Sequence, residues 1–182
     1  MRKTTTLIIA TLMSVVSFAQ DIATARSQGV GATVTITGIV TNGDELGPIR
    51  YIEDTTAGLA LYDPTALSGV VRGDEVTVSG ILVDYNGLVE MTPVNSSITN
   101  STGNSIIPQL ITPIQVGETT ESEVVQINNV IFNSGGSLFT VGTHNFSANG
   151  EIGKVYIKAG SPLINSMISM GAVTLIGISK RR

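Results

Sequence analysis

The side chains of this sequence with the clearest chemical potential are three tyrosines and two arginines. Tyr51, Tyr62 and Tyr85 offer aromatic faces, and Arg50 and Arg72 offer cations within the same stretch of chain. Rings that stack on bases, interleaved with cations that meet phosphates, are what a single-stranded nucleic-acid site requires. Asn86, in the turn beside Tyr85, completes this candidate ligand-binding set. The charge balance opposes it. Between Asp21 and Pro93 there are ten acids and three bases, which repels a phosphate backbone unless the bases cluster. A competing reading makes Tyr51 and Tyr62 half-buried aromatics of a sheet wall and leaves Tyr85 as the exposed one.

Catalytic chemistry finds little support. His144 is the single histidine, and Gly142-Thr143-His144-Asn145 reads as a hairpin tip, where a solvated imidazole has no acid or hydroxyl to work with. No phosphate-loop, HExxH or GxSxG motif occurs. The acids Asp44, Glu45, Glu53, Asp54, Asp63, Asp74, Asp84 and Glu90 are oxygen ligands by type, but their spacing matches no cation loop. Asp63, Asp74 and Asp54 already read as a cap, a turn and an Asx-turn. No catalytic residue, metal ligand or cofactor is expected. A metal-dependent hydrolase survives only as a remote alternative.

These side chains need elements to hold them. Thr33 to Val40 alternates Val34 and Ile36 with threonines, the period of a half-buried strand, and Gly38 breaks it as a bend would. Asp21 caps a short helix ahead of it. Ile49 to Asp54 and Leu59 to Tyr62 follow as strands around Thr55-Thr56-Ala57-Gly58, and Asp63-Pro64 opens one helical turn through Leu67. Glu75 to Val83 repeats the first strand's grammar, with Gly80 as its break. Asn86-Gly87 then forms a type I′ hairpin into a fifth strand. Five short strands with bends in the first and fourth predict an all-β chain whose first part is an OB-fold, a five-stranded Greek-key barrel.

The composition turns to Asn, Ser and Thr after Pro93, as in a linker. Beyond it the first pattern returns. Val124 to Ile131 aligns with Thr33 to Val40, placing Asn129 at the position of Gly38, and Val173 to Ile178 aligns with Val76 to Ile81 with four of six residues identical. The predicted strands of this second, incomplete OB-like module are Val124 to Phe132, Ser137 to Thr143, Lys154 to Lys158 and Ala172 to Ser179. A last strand is missing, so the module has an open edge that invites pairing. The expectation is a fragment of a longer protein.

At the other end, Arg2 and Lys3 precede an apolar run from Leu7 to Phe18 and the small residues Ser17-Phe18-Ala19, the pattern of a cleaved signal peptide and too short for a membrane span. The expected organisation is a signal peptide at 1–19, a first module at 20–93, a linker at 94–117 and a second module at 118–182. The mature chain is expected to be exported, periplasmic or extracellular, with no membrane anchor. The formal charge of −4 becomes −6 without Arg2 and Lys3. There is no cysteine, so packing alone must supply stability.

Ile22 to Arg26, Gly31 to Gly43, Tyr51 to Asp63, Gly73 to Gly80 and Tyr85 to Leu88 resemble the OB-fold modules attached to secreted bacterial nucleases and other exported multidomain proteins. Glu123 to Val130 is similar to the opening of the second module in tandem members. The resemblance implies an exported OB-fold pair of the kind often regarded as nucleic-acid binding, and no activity of its own. The sequence therefore supports a non-catalytic binding module, with single-stranded nucleic acid or another protein domain as partner. The alternative is a structural or protein-interaction module with no nucleic-acid role.

Overall fold

The computed structural model describes residues 19–180. The expected signal peptide lies outside the described residues apart from Ala19, as do Arg181 and Arg182. Helix α1, Ile22–Ser27, starts where Asp21 accepts the Thr24 N–H at 2.7 Å, and it buries Ile22 and Ala25. Strands β1 (Thr33–Val40), β2 (Ile49–Glu53), β3 (Gly58–Tyr62), β4 (Glu75–Tyr85) and β5 (Leu88–Ser101) close into a barrel in the order β1-β2-β3-β5-β4, with β3 and β5 parallel. This is an OB-like all-β fold. The alternation in β1 places Val34 and Ile36 in the core, while Thr35 and Thr37 meet Ser79 and Thr77 of β4 through hydroxyl contacts of 3.0 and 2.7 Å.

Two glycines make the closure possible. After Gly38, β1 leaves β4 for β2, and Ile39 pairs with both Glu75 and Glu53. A Cβ on Gly38 would stand 3.0 Å from the Glu53 carbonyl oxygen. At Gly80 the fifth strand presses harder: a Cβ there would lie 2.4 Å from the Pro93 oxygen and 2.6 Å from Met91 Cγ. The β4–β5 register shifts on both sides of Gly80, so the predicted bend is a bulge where two strands approach closely.

Parts of the segment expected as a linker belong to the sheets. Residues 94–101 continue β5 and pair with β4, and Asn100 donates to Thr77 at 2.9 Å. Its Asn, Ser and Thr content reflects a strand half exposed to water rather than a flexible connection. Strand β6, Gln109–Leu110, already belongs to the second half, where it pairs with β7 (Val124–Phe132) in parallel.

The second sheet continues with β8 (Gly142–Ala148), β9 (Glu151–Ile157) and β10 (Val173–Ile178), in the order β10-β7-β8-β9. That is the barrel's order β4-β1-β2-β3, with no counterpart of β5 among the described residues. The core is led by Phe132, with Phe139 and Phe146 edge-on to it at 5.3 and 5.9 Å. The strand expected over Ser137 to Thr143 is displaced toward the C-terminus, because the hairpin turns at Asn149-Gly150, both at positive φ. His144 is therefore inside β8 rather than at a solvated tip. Its ring is buried edge-on to Phe139 at 5.1 Å, and Nε2 lies 2.9 Å from the Thr140 carbonyl oxygen.

The chain enters both sheets in the same way. Gln20 N–H donates to Thr35 and Ile111 N–H to Gln126; Gly31 N–H donates to Leu82 and Ser122 N–H to Ser179. Overpacking at a crowded glycine costs about 1–3 kcal/mol. Gly80→Ala is accordingly expected to lower the unfolding free energy by that amount in urea denaturation, with β5 no longer seated on β4.

Candidate binding face

On an OB-fold the ligand face is the outer surface of the second and third strands, flanked by the loops after the first and fourth strands. Strand alternation gives that face its residues here. Ile52, Leu59 and Leu61 point into the barrel core, so Ile49, Tyr51 and Glu53 of β2 and Gly58, Ala60 and Tyr62 of β3 face outward. Glu90 of β5, which pairs with Ala60, extends the same surface.

This face is covered by the second half of the chain. Tyr51, Ala60 and Leu88 form a buried cluster against Leu46, Ile49 and Ile178 of β10. The Val124 N–H donates to Glu53 Oε2 at 2.9 Å. At Gly58 the two backbones approach so closely that a Cβ would lie 2.4 Å from the Ser122 carbonyl carbon. The loop between β1 and β2 is covered as well: Lys158 Nζ donates to the Leu46 oxygen at 3.0 Å, and a Cβ on Gly160 would be 2.9 Å from the Glu45 oxygen.

One cation ties these parts together. Arg26 of α1 donates to the Gly58 carbonyl at 2.8 Å and to Glu121 Oε2 at 2.9 Å, and reaches Glu118 at 3.3 Å. The Glu121 side chain is fully buried, and its Oε1, like Ser122 Oγ, has no hydrogen-bond partner among the described residues. The interface is otherwise acidic. Burial pushes the carboxyls of Glu53, Glu90 and Glu123 above the ordinary glutamate value, outweighing the Val124 N–H at Glu53, Lys180 near Glu90 and Arg26 near Glu123. Burial also raises the Tyr51 phenol, helped by the carboxylates of Glu90 and Glu121.

The candidate residues separate into two groups. Arg50 is buried, with Nε donating to the Val70 oxygen at 2.9 Å, Nη1 to the Gly47 oxygen at 2.8 Å, and Nη2 paired with Asp44. It ties the β1–β2 loop to the barrel end, and its donors are spent there rather than offered to a phosphate. Tyr51 is the strand aromatic the competing reading described, but it is buried against the second half rather than half-buried. Tyr62 and Tyr85 are exposed, at 44% and 60%. Arg72 is exposed and paired with Glu45. Asn86 sits at positive φ in the predicted turn, with Gly87 donating to Asp84.

The exposed tyrosines do not form one stacking surface. The parallel register that sets Ala60 beside Glu90 puts Leu88 at the Gly58 end of β3. Tyr85 pairs with Leu88 at that end, and Tyr62 closes the other, about 13 Å away along the strand. Arg26, Glu121 and Ile178, which define this face, carry no sequence pattern that assigns them to it. The one readable signal is Arg26 as the single base between Asp21 and Arg50.

No protein-family model matches the chain, and no curated protein does. Among solved structures, the hypothetical protein ygiW from E. coli is similar at a TM-score of 0.38 and 18% identity, over 45% of this chain and 89% of that one. The fold class rests on the barrel's own strand order and closure.

Removing one partner of a buried ion pair costs about 3–5 kcal/mol. Arg26→Ala should destabilise the protein by that order in chemical denaturation, and Arg26→Ala with Glu121→Gln should recover part of the loss. The raised carboxyls set a pH dependence. Their folded values exceed the unfolded ones, so the folded state holds more protons in between, and stability falls as pH rises through that window. Melting temperature should rise as the pH drops from neutrality toward the ordinary glutamate range. Replacing Glu53, Glu90 and Glu123 together by Gln should flatten that slope.

Proposed function

We propose that this chain is an exported, non-catalytic pair of OB-like units in which the second unit occupies the ligand face of the first, and that the pair serves as a protein-interaction module rather than a nucleic-acid binder. The observation that carries this reading is the covered face: Tyr51 lies under Ile178, surrounded by Glu53, Glu90 and Glu121. A strand of phosphates would have to displace a packed apolar cluster and then meet carboxylates, and both effects oppose it. Export rests on the basic start, apolar run and small residues of 1–19.

The pairing of two related units has its own support. Residues 91 apart accept the same lead-in hydrogen bonds, Thr35 from Gln20 and Gln126 from Ile111. Gly31 and Ser122, also 91 apart, donate to Leu82 and Ser179. With the common strand order and the four identical residues of six between Val76 to Ile81 and Val173 to Ile178, this favours a duplicated unit. Among the described residues β9 and β10 each pair on one side only, and strand edges of that kind are surfaces that other proteins can pair with.

Fluorescence anisotropy with labelled single-stranded DNA at low salt tests the reading. The expected titration is flat up to high micromolar protein. Saturable binding that weakens in Tyr85→Ala with Arg72→Ala would replace the interaction module with a nucleic-acid site on the remaining exposed residues.

A further inference from the structure

The loop between β7 and β8, residues 133–141, is held by its backbone. Asn133 N–H donates to the Asn145 oxygen at 3.0 Å, Gly136 N–H to the Ile168 oxygen at 2.9 Å and Phe139 N–H to the Ser166 oxygen at 2.9 Å. Ser137 and Phe139 accept from Ile168 and Asn165 in return. The buried His144 ring adds the 2.9 Å contact between Nε2 and the Thr140 oxygen. The loop is thereby a fixed wall, and between it and β8 runs a groove of about 590 Å³, within the range of small-ligand clefts. Asn133, Leu138, Thr140, Thr143, His144 and Asn145 line it, and no Asp, Glu, Lys or Arg does.

Elsewhere in the chain, polar side chains in loops are spent on the loops themselves. Asn42 donates to the Ile49 oxygen and Asn104 to the Gly73 oxygen, while Asp54 and Asp63 accept from the N–H groups of Ala57 and Ala66. In the groove this use is reversed. The side chains of Asn133, Thr140, Thr143 and Asn145 make no hydrogen bond to any described residue, so their amide and hydroxyl groups keep both donors and acceptors to offer. The outer face of the sheet continues the surface. Thr143 pairs with Tyr156 and Asn145 with Lys154 across β8 and β9, and side chains directly opposite share a face with Cβ atoms about 5 Å apart. Tyr156 is 62% exposed, so its ring lies open beside Thr143.

We infer that this groove binds a neutral saccharide, with a sugar ring stacked on Tyr156 and its hydroxyls bonded to Asn133, Thr140, Thr143 and Asn145. The inference goes beyond the protein-interaction reading and does not depend on it. Sugar hydroxyls donate and accept alike, which amides and hydroxyls match and ionised acids or bases do not. The C–H face of a pyranose is apolar and fits an aromatic face. A nucleic-acid strand is disfavoured, because a phosphate backbone needs clustered cations and the cross-strand neighbours of Thr143 and Asn145 supply one, Lys154. An extended peptide needs pockets for its side chains, and Leu138 is the one apolar residue lining the groove.

The test is isothermal titration calorimetry of the full chain with cellohexaose, maltohexaose and N-acetylchitohexaose at low and high salt. Saturable binding of at least one is expected, with an affinity that salt leaves unchanged because no ion pair is involved. Tyr156→Ala should weaken that binding roughly tenfold, and Asn145→Ala to a similar degree, while Tyr156→Phe keeps the ring and retains it. Both positions are exposed, so the melting temperatures of these variants should match wild type. No binding of any of the hexasaccharides at millimolar concentration overturns the site, as does equal binding by wild type, Tyr156→Ala and Asn145→Ala. Absence of glycan binding together with salt-sensitive binding of oligo-dT that Lys154→Ala removes overturns the glycan assignment and gives the groove to nucleic acid instead.

Discussion

A β-strand leaves a row of N–H and C=O groups unpaired on any side that lacks a neighbour, and the architecture of this protein follows from how each half meets that demand. The first half meets it fully. Strand β5 bends past Gly80, pairs with β4 along its length and with β3 near Ala60 and Leu61, and leaves no edge. Because the ring is closed, side chains on its inner face are sealed and those on its outer face are fixed in direction. The second half has the same order of strands and, among the described residues, no strand in the closing position, with Val155, Val173 and Leu175 only partly buried.

Closure of the first barrel also creates the flat outer face on which the second half docks. The docking is held by few groups. An apolar cluster around Tyr51 supplies the burial, and backbone approaches at Gly58 and Gly160 allow close contact. Arg26 offsets the charge of Glu121 where water is excluded. The remaining carboxylates are tolerated because they reach backbone N–H groups or the edge of the interface, as Glu53 does with Val124. An acidic interface of this kind makes the union of the halves sensitive to protonation, and it turns the usual ligand surface of the fold into an internal contact.

Local features were legible in the sequence wherever one residue type answers one backbone requirement. Asp21 caps α1, Asp54 accepts the Thr56 and Ala57 N–H groups as an Asx-turn, Asn86-Gly87 turns the hairpin, and Gly38 and Gly80 mark bends. The misplacement of β8 and β9 had the same kind of signal available, since Asn149-Gly150 is as strong a hairpin marker as Asn86-Gly87. The register set by that turn buries His144 against Phe139 and keeps it out of water. The polar run after Pro93 misled for a different reason: a strand exposed on one face is free to use Asn, Ser and Thr, and composition alone does not distinguish it from a linker.

By itself the sequence determined the all-β class, the alternation that sorts inner from outer side chains, the bends that permit a small barrel, and the recurrence of the first strand's pattern. These depend on neighbours close in the chain or on symmetry within it. The candidate site was another matter. That Arg50 spends its donors on the carbonyls of its own loop, that Tyr51 lies under Ile178, and that Arg26 meets Glu121 across 95 residues were decided only in the tertiary structure. Burial and charge pairing between distant segments depend on which faces meet, and alternation states which way a side chain points without stating what waits on that side.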